Sequence, residues 1–305
     1  MAATGLNNNA WYRAARPRTL TATYVPLGLA AVIAVEHGVF DLVRFTLSLI
    51  AALCLQIGAN LINEYWDYKR GADTLKQAGQ GMIIKEGVLT PRSVLIGAIL
   101  SVLAGSLIGL FLLTQSGWLL LWIGLGGVLV VITYTAGPFP LAYNGLGEVA
   151  VFIFMGSLMV LGAYYVMARE FSWTPVIAAI PIGFMVAAIL HANNVRDIDA
   201  DRAVNKRTLA VLFGLRIARI EYMVLVGGAY AAVVVMILLN VMPITTLAVL
   251  ITAPEAYRLI QIINTSRDTA LLHQAQGRTA KLHGRFGLWL VIGWATSLLI
   301  QRISM

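Results

Sequence analysis

The sequence carries little charge and almost no cysteine. Asp, Glu, Lys and Arg make up 12% of its 305 residues, whereas soluble globular domains carry about 25%. The single cysteine, Cys54, excludes a disulfide within the chain, and its place in an apolar run predicts a buried, inert thiol. Cys and His form no cluster in the sequence, which argues against a zinc site.

Apolar residues are abundant instead. They make up 59% of the chain, and the mean hydropathy is +0.80. Several apolar runs reach about 20 residues, the length needed to cross a bilayer. Continuous runs favour helices over a barrel, whose short strands alternate in polarity. The first run is full length and lacks a small-residue cleavage site, so we expect no cleavable signal peptide. The sequence predicts an all-α integral membrane protein in which residues 1–305 form a single domain within the lipid bilayer.

Nine helices are predicted from the apolar runs and from the Gly, Pro and charged residues between them. Their expected ranges are 19–37, 42–66, 92–114, 117–137, 147–168, 174–195, 218–240, 243–263 and 284–303.

The basic residues orient these helices. With a cytoplasmic N-terminus, 19 of the 22 Lys and Arg residues fall on the cytoplasmic side, and only Arg44, Arg169 and Arg302 fall outside. This bias follows the positive-inside rule. It also accounts for the net charge of +8 without a nucleic-acid partner. We therefore expect the cytoplasmic side to hold both of the acidic clusters described next.

Five of the 14 acidic residues lie in two short stretches, one after the second predicted helix and one after the sixth. In the first, Asn63 and Asp67 are i and i+4 and share a helix face. Gly71 is expected to end or bend that helix, so that Asp73 turns back toward the same place.

The second stretch repeats the pattern. Asn193, Asp197 and Asp201 follow at i, i+4 and i+8, with Asn194 near the same stripe, whereas Asp199 points elsewhere because it lies about 200° from Asp197 on an ideal helix. Carboxylates on one face repel each other unless a cation lies between them. Oxygen ligands of this kind suit Mg²⁺, which substrate phosphates usually help to coordinate.

Other polar residues beside the two stretches are candidates for substrate contacts. Cationic side chains suit phosphate oxygens, and tyrosines near the Gly137–Pro140 turn, followed by Glu148, could line the same cavity. The candidates are Lys69, Arg70, Lys85, Arg196, Lys206, Arg207, Tyr134 and Tyr143.

These motifs resemble the UbiA superfamily of intramembrane aromatic prenyltransferases, and within it the branch that acts on 1,4-dihydroxy-2-naphthoate in menaquinone and phylloquinone synthesis. One departure is Glu64, where members of the family often have Asp; its role stays open, as does the role of residues 77–86 apart from Lys85. The resemblance covers most of the chain and is carried by Trp11–Leu20, Asn60–Asp73, Gly145–Glu148, Asn193–Asp197 and Lys206–Ala210.

The resemblance implies a Mg²⁺-dependent enzyme with a cytoplasm-facing cavity in a prokaryotic inner or plasma membrane. It would transfer a polyprenyl chain from an allylic polyprenyl diphosphate to dihydroxynaphthoate, with loss of CO₂ and diphosphate. Arg16 would orient either the carboxylate of the acceptor or the diphosphate. Metal and diphosphate would be held, and catalysis carried, by Asn63, Asp67 and Asp73 at one end and Asn193, Asp197 and Asp201 at the other.

Alternatives remain open at this point. The residues themselves do not define the acceptor, so 4-hydroxybenzoate, homogentisate, a chlorophyllide or haem compete with dihydroxynaphthoate. A transporter is a second class of function, although its carboxylates would be expected near the bilayer midplane and not at helix ends beside basic loops. A membrane protein that only binds partners is a third, and the concentration of Asp in two short stretches disfavours it.

Overall fold

The structure is a computed structural model that describes residues 9–73, 76 and 81–304. Helices dominate it, and within these described residues no β-strand forms. The helices are α1 (Ala10–Ala15), α2 (Thr21–Glu36), α3 (Leu42–Lys69), α4 (Pro91–Ser116), α5 (Trp118–Thr133), α6 (Gly147–Ala168), α7 (Trp173–Arg196), α8 (Ile198–Ala203), α9 (Leu209–Leu238), α10 (Ile244–Thr265) and α11 (Thr269–Ile303).

Each of the nine predicted helices has a counterpart, and the chain is an integral membrane protein. Seven of the described helices are long and apolar enough to cross a membrane. The segment 10–19 and α2 meet at 49° and would count as an eighth span if they cross together. The one remaining predicted span, α5, has 16 residues. It is therefore about 24 Å long, which is shorter than a hydrocarbon core of about 30 Å. Nine full spans are therefore not confirmed.

Two helices begin earlier than the sequence predicts. Helix α9 begins at Leu209, where Thr208 accepts a hydrogen bond from the Val211 amide, and it is broken at Gly214, whose φ of 79° is not helical. Helix α11 begins at Thr269, where Asp268 accepts a hydrogen bond from the Ala270 amide. These side chains cap the otherwise unpaired first turns. Charge predicts a loop in both places, but Arg216 lies within α9, and Arg278 and Lys281 lie within α11.

Helices α2, α6, α7, α9 and α11 share the largest apolar core, while α4 packs closely along α3. Glycines permit the closest approaches. A Cβ on Gly58 would lie 2.7 Å from Val102, and a Cβ on Gly156 of α6 would lie 2.8 Å from the Cα of Gly183 on α7. Close to this contact α6 contains a wider π-type turn at Phe152–Ser157. The packing brings the C-terminal ends of α3, α5 and α7 to one end of the bundle, where the polar cavity described below opens.

Candidate active site

The first acidic cluster lies at the end of α3, where the backbone reverses at Gly71. Helix α3 ends at Lys69, the amide of Ala72 bonds to the carbonyl of Asp67, and Gly71 has φ 73°, a left-handed conformation that glycine adopts without a steric penalty. The predicted turn is confirmed. It brings Asp73 back beside Asp67, and both side chains are buried.

Lys76 neutralises this cluster. Its Nζ lies 3.3 Å from Oδ2 of Asp67 and 3.0 Å from Oδ1 of Asp73. Burial alone would lower the pKa of Lys76, but the two carboxylates outweigh burial and raise it. Burial also raises the pKa of Asp73, against the opposing effect of the Lys76 ammonium. The hydroxyl of Tyr143 donates a 2.7 Å hydrogen bond to the other oxygen of Asp67. Sequence reasoning missed Lys76 as a site residue, because it lies beyond the turn where helical spacing gives no direction.

The second acidic cluster has a separate cation for each aspartate. Arg196 donates two hydrogen bonds to Asp197, at 2.7 and 2.6 Å, and its third nitrogen lies 3.0 Å from Nδ1 of His273. Lys206 lies 3.4 Å from the fully buried Asp201. Burial would lower the pKa of Lys206, but the facing carboxylates hold it above its usual range. Burial raises the pKa of Asp201.

The two clusters face a common polar cavity. Both acidic stretches contribute to the wall of this cavity. Asp201 is the exception, because it lies behind the wall beside Lys206. The side chains that form the wall include Arg16, Asn63, Asp67, Asp73, Lys76, Tyr134, Asn193, Asn194, Arg196, Asp197, Lys206 and Gln276.

A larger apolar cavity adjoins the polar one. The two share part of their walls, including Arg16, Asn63, Tyr134 and Asn193. Beyond that junction the larger cavity is lined mainly by aliphatic residues and glycines of α3, α4, α5 and α6. The molecule therefore offers a charged chamber that continues into a hydrocarbon-lined one.

Glu64 supports the junction between these cavities. It is almost fully buried, its Oε2 lies 3.1 Å from the guanidinium of Arg16, and it accepts hydrogen bonds from the amides of Met82 and Ile84. The residue therefore holds Arg16 and the segment after residue 80 against α3. Of the unassigned stretch 77–86, residues 77–80 lie outside the described part of the chain.

A buried network behind the cavity wall was also missed by sequence reasoning. Glu148 accepts hydrogen bonds from Asn194, at 2.7 Å, and from Nδ1 of His191, at 2.9 Å. The other ring nitrogen of His191 lies 2.7 Å from the carbonyl of Ala218, and Glu221 lies 3.5 Å from Nδ1. Because the Ala218 carbonyl can only accept, the ring nitrogen that faces it must carry a proton. The hydrogen bond between Nδ1 and Glu148 therefore needs a second proton, carried either by Nδ1 or by a carboxylate. The members of the network come from α6, α7 and α9, so no sequence spacing signals it.

Five predicted substrate contacts lie outside the cavity walls, and one of them is Tyr143, which donates to Asp67. Lys69 lies over the Trp66 ring, with Nζ 4.9 Å from the ring centroid. Arg70 donates to the carbonyl of Gly137 and stacks over the Tyr143 ring. The remaining two make other local contacts: Lys85 donates to the backbone carbonyl of Lys76, and Arg207 donates to Asn205.

The oxygens of the two clusters fit a hard divalent cation. Two buried oxygens of side chains that line the cavity accept no hydrogen bond from any described residue, namely Oδ1 of Asn63 and Oδ2 of Asp73. Buried polar atoms are almost always paired. Amide and carboxylate oxygens without partners are the ligands that Mg²⁺ accepts. The donor set therefore fits the predicted metal.

Comparison with known proteins agrees with this geometry. The model of the UbiA prenyltransferase family matches residues 24–276. The 1,4-dihydroxy-2-naphthoate octaprenyltransferase of Bacillus subtilis (strain 168) is 33% identical over 278 residues, 91% of this chain and 89% of that protein. A UbiA homolog from Aeropyrum pernix K1 superposes with a TM-score of 0.65 at 15% identity, over 89% of this chain and 97% of that one. A UbiA homolog from Archaeoglobus fulgidus bound to DMAPP and Mg²⁺ gives 0.62 at 17% identity, over 93% and 99%.

Proposed function

Because the chain belongs to the UbiA prenyltransferase family, we propose that it transfers a polyprenyl chain from an allylic diphosphate to 1,4-dihydroxy-2-naphthoate. The observation that carries the proposal is the continuity of the two cavities. A polyprenyl diphosphate joins a highly charged head to a long hydrocarbon tail. The polar cavity suits the head, and the apolar cavity that continues from it suits the tail.

The head of this substrate would lie between the two acidic clusters. Asn63, Asp67 and Asp73 on one side and Asn193 and Asp197 on the other are proposed to hold Mg²⁺, while Asp201, behind the cavity wall, is proposed to hold Lys206 in place. When bound, Mg²⁺ would supply the positive charge that stabilises a departing diphosphate. Among the cations, we propose Lys76, Arg196 and Lys206 as direct diphosphate contacts, since all three line the polar cavity. Lys69, Arg70, Lys85 and Arg207 would act from outside the cavity wall.

The transfer then balances without an external oxidant or base. The bond between the allylic carbon and the diphosphate oxygen breaks, and diphosphate leaves with the electron pair. A new carbon–carbon bond forms at the ring carbon that bears the acceptor carboxylate. That carboxylate leaves as CO₂ and returns its electron pair to the ring. Water must be kept from the allylic cation, and the aliphatic walls beyond Tyr134 serve that purpose.

The choice of acceptor rests on the relatives. The Bacillus subtilis protein, which aligns with most of this chain, acts on dihydroxynaphthoate by its name. Arg16 lines both cavities, and Glu64 holds its guanidinium. Since the acceptor must meet the allylic carbon where the two cavities join, Arg16 is placed to pair with the acceptor carboxylate. Tyr143 would act indirectly, through its hydrogen bond to Asp67.

The orientation in the membrane is also part of the proposal. The excess of Lys and Arg at the end of the bundle that holds the polar cavity supports a cytoplasmic active site, in a bacterial inner membrane. We treat residues 1–305 as one prenyltransferase domain, because the walls of the two cavities together draw on residues from Arg16, before α2, to Gln276 of α11.

The test is a transfer assay in membranes or detergent. Labelled farnesyl or geranylgeranyl diphosphate is offered with dihydroxynaphthoate, 4-hydroxybenzoate or homogentisate, with Mg²⁺ or with EDTA. We expect a prenylated, decarboxylated product from dihydroxynaphthoate in Mg²⁺ only. Product from hydroxybenzoate alone would overturn the acceptor, unchanged product in EDTA would overturn the metal, and uptake of substrate into proteoliposomes without turnover would favour a transporter.

A further inference from the structure

We propose that three glycines in the wall of the apolar cavity, Gly127, Gly124 and Gly109, set the length of prenyl tail that the protein accepts. The inference rests on the proposed function, since it assumes that the tail lies in this cavity. It goes further by assigning selectivity for the number of isoprene units to positions at three different depths.

The glycines of this cavity fall into two groups. Gly105 is required for packing, because a Cβ there would lie 2.8 Å from the carbonyl oxygen of Ala51. A Cβ on Gly162 would lie 3.4 Å from the side chain of Ile123. In contrast, a Cβ on Gly109, Gly124 or Gly127 would meet no atom within 4 Å. Helix packing therefore does not require glycine at these three positions.

The space beside these three glycines belongs to the cavity. Gly124 and Gly127 are i and i+3 on α5, and the residues of α5 that line the cavity all fall on that face, from Leu120 to Tyr134. On α4 the lining residues are Gly105, Gly109 and Leu112, again on one face. A side chain added on these faces would enter the cavity.

The three positions lie at increasing distance from the charged chamber. Tyr134 lines both cavities, and with a rise of 1.5 Å per residue Gly127 lies about 10 Å beyond it and Gly124 about 15 Å. Gly109 is one turn beyond Gly105, which touches Ala51 of the antiparallel helix α3.

Gly109 is therefore level with Ser48, which lies about 22 Å from Asn63 along α3. The hydroxyl of Ser48 is buried, lines the cavity and has no hydrogen-bond partner among the described residues. A hydrocarbon tail does not satisfy such a group. Ser48 therefore marks a polar point in the wall at the level of Gly109, and the lining continues beyond it to Leu112 on α4 and Val166 on α6.

These depths correspond to whole isoprene units. An extended isoprene unit contributes four carbon–carbon bonds to the main chain. Three bonds of an extended polypeptide backbone span ~3.5 Å, so four such bonds advance about 5 Å. Two units reach Gly127, three reach Gly124 and between four and five reach Gly109. A leucine at one of these positions should therefore exclude longer tails while leaving the head of the substrate in place.

The experiment is a competition among diphosphates. Geranyl, farnesyl, geranylgeranyl and octaprenyl diphosphates are mixed with saturating dihydroxynaphthoate, and the product ratios are measured for Gly127→Leu, Gly124→Leu and Gly109→Leu. Relative to geranyl product, we expect a loss of about tenfold, the size of an overpacking cost. The loss should begin at farnesyl for Gly127→Leu, at geranylgeranyl for Gly124→Leu and at octaprenyl for Gly109→Leu.

Gly227→Leu is the matched control. Gly227 is also helical, its Cβ would meet no atom within 4 Å, and it lines neither cavity. Its product ratios should equal those of the wild type. Identical ratios in all four variants, or a loss that does not follow depth, would overturn the proposal.

A second measurement separates this proposal from the proposed function. Protection against thermal unfolding is recorded with non-hydrolysable thiolo analogues of the same diphosphates and no acceptor. If the acceptor assignment is wrong, transfer fails for every variant, but the order of protection still follows depth. Equal protection by all tail lengths in Gly127→Leu contradicts the length assignment even when transfer works.

Discussion

The two acidic clusters have a similar sequence spacing but differ in how their charge is balanced. In the first cluster one ammonium, that of Lys76, lies within 3.3 Å of both Asp67 and Asp73. In the second, Arg196 pairs with Asp197 and Lys206 with Asp201. A shared cation couples its two carboxylates directly, whereas in the second cluster each aspartate has its own nearest cation. We infer that binding of metal and diphosphate reorganises the first cluster more than the second.

The clusters also differ in their access to the cavity. Both aspartates of the first line it, whereas in the second Asp197 lines it and Asp201 does not. The reason is local. Gly71 reverses the chain and carries Asp73 back to the cavity, while the short helix α8 continues the chain and buries Asp201 behind the wall.

The sharpest test of this difference compares Asp67→Asn with Asp201→Asn. Asp67 lines the cavity and would act directly on the metal, so its loss should lower kcat/KM about 10²–10³-fold, as for other groups that stabilise developing charge. Asp201→Asn should cost about tenfold, as expected for an effect of about 1.4 kcal/mol. Initial rates at saturating Mg²⁺ measure both. Equal losses in the two variants would show that the clusters are equivalent despite their different exposure.

Removing the cations tests the coupling directly. Lys76→Met leaves two buried carboxylates facing each other, and breaking a buried pair costs about 3–5 kcal/mol. In EDTA, we expect Lys76→Met to unfold at a lower temperature than the wild type. In Mg²⁺, we expect the variant to recover much of the lost unfolding temperature.

Lys206→Met is the matched control, since it removes the cation that pairs with Asp201 but leaves Lys76 between Asp67 and Asp73. We expect a recovery in Mg²⁺ that is smaller than for Lys76→Met. The same Mg²⁺ response in both variants would contradict a shared cation in the first cluster.

A smaller effect is expected from Tyr143→Phe. The change removes only the hydrogen bond to Asp67, and hydrogen bonds to charged groups contribute about 1.5–3 kcal/mol. We expect kcat to fall more than the KM for the prenyl diphosphate changes, because Asp67 loses its orientation while its charge remains. A change in KM alone, in a steady-state titration, would instead place Tyr143 against the substrate.

The smallest effects should come from cations outside the cavity. Lys69→Ala and Arg207→Ala remove an exposed ammonium and an exposed guanidinium, whose surface interactions are worth about 0–1 kcal/mol. We expect kcat/KM to stay within about fivefold of the wild type. A loss as large as that of Asp67→Asn would mean that one of these cations reaches the diphosphate after the chain rearranges.

The sequence predicted what local geometry controls. Helical spacing places Asn63 and Asp67 on one face, and glycine at position 71 permits the turn that returns Asp73. The helix period gives no information about chain beyond a turn, so Lys76 was missed. A positive charge near a motif also does not reveal where its side chain points, and Lys69 lies over an aromatic ring instead of the cavity. Contacts among three helices, such as His191 with Glu148 and Glu221, depend on tertiary packing alone.

The π-type turn at Phe152–Ser157 has a consequence for how this protein aligns with its relatives. Such a turn accommodates one more residue than a regular turn, and one residue corresponds to a rotation of about 100°. Deleting a single residue there would convert the wide turn into a regular one, with Glu148 still facing His191 and Met159 still on the apolar cavity. A relative with a regular helix here should therefore align only across a one-residue gap. Across that gap its polar wall and its hydrocarbon lining would both keep the register that they have in this protein.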